Sequence, residues 1–137
     1  AWADNWPDIF HIYHLPDGSF VVLSNLFWSY RPQWYDLAFN IWSCLMYIRD
    51  INYTFEQLVK YVDEWLMIYR TIPVVCQDKD FERKIIVLLL ERTMGAILVD
   101  LGANDFYEKK ENKLYFQHLL SLHQQFFNHL AQKLKTV

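Results

Sequence analysis

The chain has 137 residues, of which 53% are hydrophobic and 18% aromatic, and its net charge at pH 7 is -3. This length fits one domain, and the apolar content excludes an intrinsically disordered chain, which buries too little apolar surface to offset the entropy of ordering. The slightly negative charge gives no positive field that would attract nucleic acid, so we expect no nucleic-acid partner.

The ends of the sequence and its most apolar stretch bear on cellular location. The first ten residues have no basic segment and are unlike a secretory signal, and since the chain lacks an initiator Met we expect a processed chain or an excised domain. Charged residues interrupt the apolar stretch 85–101, which is shorter than the roughly 20 apolar residues of a membrane span. Two cysteines, Cys44 and Cys76, are no disulfide framework, so we expect reduced thiols and an intracellular protein, in the cytoplasm or nucleus.

The first predicted element is a β-hairpin over residues 9–24. Two runs of aromatic and β-branched residues flank Pro16, Asp17 and Gly18, which are typical turn residues, and glycine adopts the positive φ of a tight hairpin. Because an isolated hairpin is only marginally stable in water, we expect it to pack on the helices that follow or to pair with another chain.

Two helices are predicted next, over 32–50 and 54–72. In the first, Pro32 suits the first helical position, and the polar residues fall on one narrow stripe, so this helix should be central in the fold. The second begins with a capping box between Thr54 and Gln57 and has one apolar and one charged face. Pro73 should end it, because the residue before a proline is disfavoured in helical conformation.

Two further helices are predicted over 79–101 and 104–135. The first contains a segment, 85–90, that is apolar on every side and should be buried, and Gly102 suits the residue after its C-terminus. The second has a periodic apolar face and extends almost to the last residue. The sequence therefore predicts a single, mainly α domain over 1–137: a compact bundle of four to five helices with an N-terminal β-hairpin packed on it.

The sequence shows no arrangement typical of metal binding or catalysis. His118 and His123 point about 140° apart on the last helix, while His118 and His129 lie roughly 16 Å apart, too far to share an ion. Phosphate-binding glycine loops and nucleophile motifs are missing from the sequence. We therefore expect no metal, no cofactor and no enzymatic activity.

The aromatic residues before and at the start of the first helix are the most unusual feature. They lie outside any clear helical stripe and belong to types that are enriched at binding interfaces: Trp6, Trp28, Tyr30, Trp34 and Tyr35. They either fill the core or form an exposed docking surface. On the second interpretation, the chain is a non-enzymatic interaction domain, an adaptor or scaffold, that binds another protein or peptide.

Two alternatives remain open from the sequence. Glu91 and Arg92 interrupt an apolar helix, and a charged pair there is suited to anchor a ligand, so the chain is alternatively a carrier of a hydrophobic small molecule in an aromatic-lined pocket. Self-association through the hairpin edge or the aromatic surface is compatible with either function.

Overall fold

The fold is mainly helical, as the sequence predicted, with short strands before the first helix. The structure, a computed structural model, describes residues 2–4, 12–22, 28–48, 50–100 and 113–137. The strands are β1 (Trp2–Asp4), β2 (Ile12–His14), β3 (Phe20–Val22) and β4 (Trp28–Tyr30). The helices are α1 (Tyr35–Leu45), α2 (Phe55–Tyr69), α3 (Pro73–Cys76), α4 (Phe81–Gly95), which continues into a π-helical turn (Ala96–Asp100), and α5 (Lys113–Lys133).

The predicted hairpin is present as the antiparallel pair of β2 and β3, in which Tyr13 lies opposite Val21. Gly18 adopts a φ of 83°, and its N–H donates to the carbonyl of Leu15 at 3.0 Å. The Asp17 carboxylate accepts from the backbone N–H of Ser19 at 2.9 Å, so the turn residues close the hairpin as the sequence indicated.

A second antiparallel pair, β1 with β4, encloses this hairpin in the sequence. Asp4 lies opposite Trp28, whereas a continued β2–β3 register would place it opposite Tyr30. The two pairs are therefore offset by two residues. The strands meet the helices through β1, which contacts α1, while Phe20 and Val21 of the hairpin are 63% and 41% exposed.

The four longer helices form the bundle. α1 packs against α2 and α4, and α5 packs against α2 and α4. Trp34, before α1, contacts Phe81 at the start of α4, and Trp42 near the end of α1 contacts Arg92 near the end of α4, so these two helices run in the same direction.

Ion pairs show that α2 and α5 run the opposite way. Arg70, directly after α2, pairs with Glu82 in the first turn of α4. Lys133, the last residue of α5, lies 3.4 Å from another oxygen of Glu82 and 3.2 Å from Asp63 of α2. These contacts join three helices at one end of the bundle.

The core is built mostly from α1 and α4. Its buried side chains on these helices include Ala38, Phe39, Ile41, Trp42, Leu45, Phe81, Ile85, Ile86, Leu88 and Leu89. The prediction that 85–90 is buried on every side is wrong at Val87, which is 47% exposed. One side of α4 thus remains open to solvent even in its most apolar segment.

α1 is shorter than its predicted range of 32–50. It begins after Trp34, whose φ of 70° is left-handed and not helical. It ends at Leu45, and the Asp50 carboxylate accepts from the backbone N–H of Asn52 at 2.8 Å in a separate turn before α2. Local side-chain hydrogen bonding of this kind competes with helix, so the helix does not extend to Asp50 as predicted.

The other helix boundaries follow the predicted signals more closely. α2 starts with the predicted capping box: Gln57 N–H donates to Thr54 Oγ1 at 3.2 Å, and Thr54 N–H donates to Gln57 Oε1 at 2.8 Å. Pro73 lies after α2, as expected, and is the first residue of the short helix α3. The predicted cap Gly102 and the first part of the helix predicted over 104–135 lie outside the described residues.

Candidate functional site

The aromatic residues predicted to form a surface have different environments. Tyr30, at the end of β4, is 76% exposed. Trp28 lies in β4, opposite Asp4, and Trp6 lies outside the described residues. Tyr35 differs from the expected docking surface, because it is only 5% exposed and its ring stacks on Phe39 with the centroids 5.9 Å apart.

Trp34 lies between core and surface and is held by two long-range contacts. Its Nε1–H donates to Asp78 Oδ2 at 2.6 Å, and its ring meets the edge of Phe81 with the centroids 5.6 Å apart. A left-handed conformation costs a non-glycine residue about 1–3 kcal/mol, so surrounding contacts must hold it in place. The indole of Trp34 therefore fixes the lead-in to α1 against the start of α4.

Asp78 is the acceptor at the centre of this arrangement. Lys84 Nζ lies 2.6 Å from Asp78 Oδ2, and the backbone N–H of Asp80 donates to Asp78 Oδ1 at 3.0 Å. These donors favour the ionised carboxylate: the hydrogen bond from Lys84, followed by that from Trp34, lowers the pKa of Asp78 below its usual value. The carboxylate is thus ionised and fully engaged at neutral pH.

A groove of about 530 Å³ lies beside this network, between the lead-in to α1 and the first half of α4. It is lined by Pro32, Gln33, Asp80, Arg83, Lys84, Val87 and Leu88. Its floor is apolar, and its charged rim has two cations and one carboxylate. Its volume is in the range of about 300–1,000 Å³ typical of ligand sites.

A smaller hollow of about 290 Å³ has Asp78 in its lining. Its lining includes Arg70, Cys76 and Glu82. Cys76 and Cys44 are both free, and Cys76 is exposed. Since Arg70 and Glu82 pair with one another, the polar groups of this hollow largely satisfy each other.

The corner between α2 and α3 exposes an apolar patch that the sequence analysis did not identify. Met67 and Ile68 are 67% and 62% exposed, and Val74 is 58% exposed. The periodic apolar residues of α2 predict only its buried face. Two large apolar residues that lie outside this face are the sequence signal that could have predicted the exposed patch. We call this second exposed surface the α2–α3 patch.

The two charged residues near the end of α4 have different environments. Glu91 is exposed, whereas Arg92 is only partly exposed and turns toward α1. The guanidinium carbon of Arg92 lies 4.7 Å from the ring centroid of Trp42 and 5.4 Å from that of Phe39. Of the two predicted ligand anchors, only Arg92 therefore faces aromatic side chains.

Two fully buried polar residues were not predicted as site residues. Thr93 and His123 are each 0% exposed. The Nδ1 atom of His123 lies 2.8 Å from the carbonyl oxygen of Leu119, so the ring donates from Nδ1. The ring of Tyr47 packs on His123 with the centroids 5.5 Å apart and on Trp42 with the centroids 5.0 Å apart. A chain of rings therefore runs from α1 to α5 through the core.

Neither a metal-binding cluster nor a membrane-spanning helix is present in the part of the chain that the structure describes. There, His, Cys, Asp and Glu form no group of three or more that is suited to hold a metal ion. His129 packs against Phe55 in α2, with the ring centroids 5.7 Å apart, away from the buried His123. Among the described helices, none combines the length and the apolar character needed to cross a membrane.

Comparisons of the chain with known protein families, with curated proteins and with solved structures found no match.

Proposed function

We propose that this domain is a non-enzymatic protein interaction module, an adaptor or scaffold, that binds a segment of another protein. The groove between the lead-in to α1 and the first half of α4 carries this proposal. Its apolar floor, formed by Pro32, Val87 and Leu88, suits an apolar side chain. Tyr30 is 76% exposed and lies two residues before Pro32, so a large exposed aromatic residue is close in the sequence to a residue that lines the groove.

Charge at the rim defines the partner more closely. The groove lining has two cations, Arg83 and Lys84, and one carboxylate, Asp80. Lys84 is already paired with Asp78. Arg83 is exposed and donates to the backbone carbonyl of Val137 at 3.0 Å, which leaves the other donors of its guanidinium for a partner. The occupant that fits is a peptide segment with an apolar side chain next to an acidic residue.

The surroundings of Trp34 support a preformed site. The indole, the Asp78 carboxylate and the Lys84 ammonium fix one wall of the groove against α4. A wall that is held before binding reduces the entropy lost on association. We infer that Trp34 acts as a positioning residue, while Tyr30 and Val87 contact the partner.

The proposed role implies an intracellular protein, in the cytoplasm or nucleus, since both cysteines are free thiols. We propose no nucleic-acid partner, because the groove has only two cations and the chain is net negative. The lack of a catalytic motif in the sequence supports the non-enzymatic role.

Site-specific photo-cross-linking tests this proposal. A photoreactive benzoylphenylalanine replaces Tyr30 in one variant and Met67, in the α2–α3 patch, in another. In cells of the natural source, the probe at position 30 should form one discrete adduct with another protein, and adding Val87→Glu should abolish that adduct. Adducts only from position 67, or an adduct at position 30 that survives Val87→Glu, would contradict the groove as the docking site. An adduct with the mass of two copies of this chain would show self-association in place of a different partner.

A further inference from the structure

Two neighbouring donors on α1 and α4 lack an acceptor. Trp42 Nε1 and Arg92 Nε are both buried, and neither has a hydrogen-bond partner among the described residues. An indole and a guanidinium can only donate, so neither can satisfy the other. The Arg92 guanidinium carbon lies 4.7 Å from the Trp42 ring centroid, so the two donors belong to one place in the fold.

The positive charge of Arg92 is also uncompensated. The ion pairs among the described residues use Arg70, Lys60, Lys84 and Lys133, and none of them includes Arg92. Its contacts are with the faces of the Trp42 and Phe39 rings, which orient the guanidinium without supplying an acceptor. Buried polar groups without a partner are rare in folded proteins, so the buried Arg92 Nε and Trp42 Nε1 are notable.

The surroundings of Arg92 and Trp42 suit a bound anion better than a purely structural role for these two side chains. Trp42 and Phe39 are each 6% exposed, so their rings form a dry wall, while Arg92 remains partly exposed and reachable from solvent. Just beyond Arg92 the helix changes to a π-helical turn, and the N–H of Ala96 donates to the carbonyls of both Arg92 and Thr93. Such π-helical turns occur frequently at functional sites.

We propose that Arg92 and Trp42 bind the carboxylate group of a ligand whose apolar part lies against the neighbouring aromatic rings. A carboxylate matches the planar edge of a guanidinium, and its second oxygen can accept from an indole N–H. Its single negative charge balances the charge of Arg92, whereas a phosphate dianion would leave a charge uncompensated in a largely apolar site. The ligand is either a free aromatic or alkyl carboxylate or an acidic side chain of another protein.

This inference is independent of the proposed function, because it rests on unpaired donors and not on the exposed groove. Lys84, Leu88 and Arg92 are spaced four residues apart on α4, so they follow one face of the helix. The carboxylate site therefore lies farther along the same face as the groove. The two sites can be occupied separately or by one extended ligand.

Nuclear magnetic resonance on the ¹⁵N-labelled protein tests the proposal directly. The cross-peaks of Trp42 Nε1–H and Arg92 Nε–H are identified by their loss in Trp42→Phe and Arg92→Lys. Titration of the unsubstituted protein with sodium benzoate, at constant ionic strength, should shift both peaks together and saturably. Benzyl alcohol, which has the same ring without the charge, and inorganic phosphate should leave both peaks in place.

Variants and a second probe define the site further. Arg92→Gln should weaken benzoate binding about tenfold or more, because it removes a charge-assisted pair of hydrogen bonds. Lys60→Gln is the matched control, because it removes an exposed cation in α2 that belongs to neither proposed site, and it should leave binding unchanged. A blocked peptide whose only carboxylate is a glutamate side chain should also bind, and the tighter of the two probes shows whether the natural source is a small molecule or a protein.

Three results would overturn the proposal. The first is the absence of any saturable shift in the unsubstituted protein with both carboxylate probes, which is decisive even if the Arg92 variant fails to fold. The second is a response to phosphate that exceeds the response to carboxylates. The third is equal loss of binding in Lys60→Gln and Arg92→Gln, which would show a diffuse effect of charge and not a defined site.

Discussion

At the scale of single residues, Trp34 shows how a side chain can be fixed by partners that are distant in the sequence. The sequence leaves open whether this tryptophan fills the core or lies on a docking surface, and in the structure its indole donates to Asp78, which lies 44 residues further along the chain. The left-handed backbone of Trp34 depends on that contact and on the Phe81 ring. No local pattern contains this information, so the start of α1 could not be predicted at Trp34.

The coupling of Asp78 to Trp34 and Lys84 leads to a pH-dependent prediction. Because the pKa of Asp78 is lowered in the folded state, its stabilising effect is present above its ordinary value of 3.8 and is lost as pH falls through the lower folded-state pKa. Asp78→Asn should therefore lower the urea midpoint at pH 7 and have a smaller effect at pH 3.

Glu91→Gln is the matched control for Asp78→Asn, since Glu91 is an exposed acid on the neighbouring helix α4. Its effect on the urea midpoint should be small at both pH values. If Asp78→Asn has the same effect at pH 3 and pH 7, ionisation of Asp78 does not hold the wall of the groove.

His129 differs from Asp78, because the folded state favours the neutral form of its side chain. Burial against Phe55 lowers the pKa of His129, Lys133 lowers it further, and Asp63 opposes the shift. The associated stability is present above pH 6.5 and declines as pH falls through that value toward the folded-state pKa. His129→Phe should therefore reduce the loss of thermal stability between pH 7 and pH 5, as measured by circular dichroism. His14→Phe, at the exposed end of β2, should leave that loss unchanged, and an equal response from both variants would refute the assignment.

At the scale of elements, local signals predicted where α2 begins because the capping residues are adjacent in the sequence. Thr54 and Gln57 form reciprocal hydrogen bonds, and Tyr53 and Leu58 are both buried beside them. The hairpin turn at Gly18 was predictable for the same reason. The end of α1 was not, since apolar periodicity continued past Leu45 while Asp50 favoured a turn.

Removal of the N-cap of α2 should measurably lower the free energy of unfolding. Thr54→Ala should lower the free energy of unfolding by about 1 kcal/mol, because two backbone donors at the helix start lose or weaken their partners. Thr71→Ala, after the end of α2, removes an exposed hydroxyl that donates to the carbonyl of Ile68 and should change the stability by less than about 0.5 kcal/mol. Urea denaturation of both variants measures the difference, and equal effects would show that the capping box does not stabilise α2.

At the scale of the whole molecule, the sequence predicted the class of fold and the approximate helices, but not which surfaces remain open. Val87 belongs to an apolar run and was expected in the core, yet it lines a groove because α1 and the residues before it cover only one side of α4. Arg92, which lies between Glu91 and Thr93 just after that run, turns inward onto Trp42. Which side of α4 is covered depends on the direction of α1, and that direction is set by tertiary contacts.

The two proposed sites follow from this arrangement. Because α1 and α4 run in the same direction, the lead-in to α1 borders the groove at one end of α4, and Trp42 meets Arg92 at the other. The ion pairs among Arg70, Glu82 and Lys133 hold α2 and α5 at the end where the groove lies. Ligand sites between helices of a bundle are common, and here both depend on the contact between α1 and α4.

The central claim, that the groove docks another protein, is tested most directly by native mass spectrometry of the chain isolated gently from its own source cells. Unsubstituted protein and the Met67→Glu variant should each carry the same second protein in a fixed ratio, whereas Val87→Glu should be recovered without it. Recovery of all three forms without a protein partner, or with a partner that Val87→Glu retains, would contradict the account. A mass excess of only a few hundred daltons in all three would instead identify a small-molecule carrier.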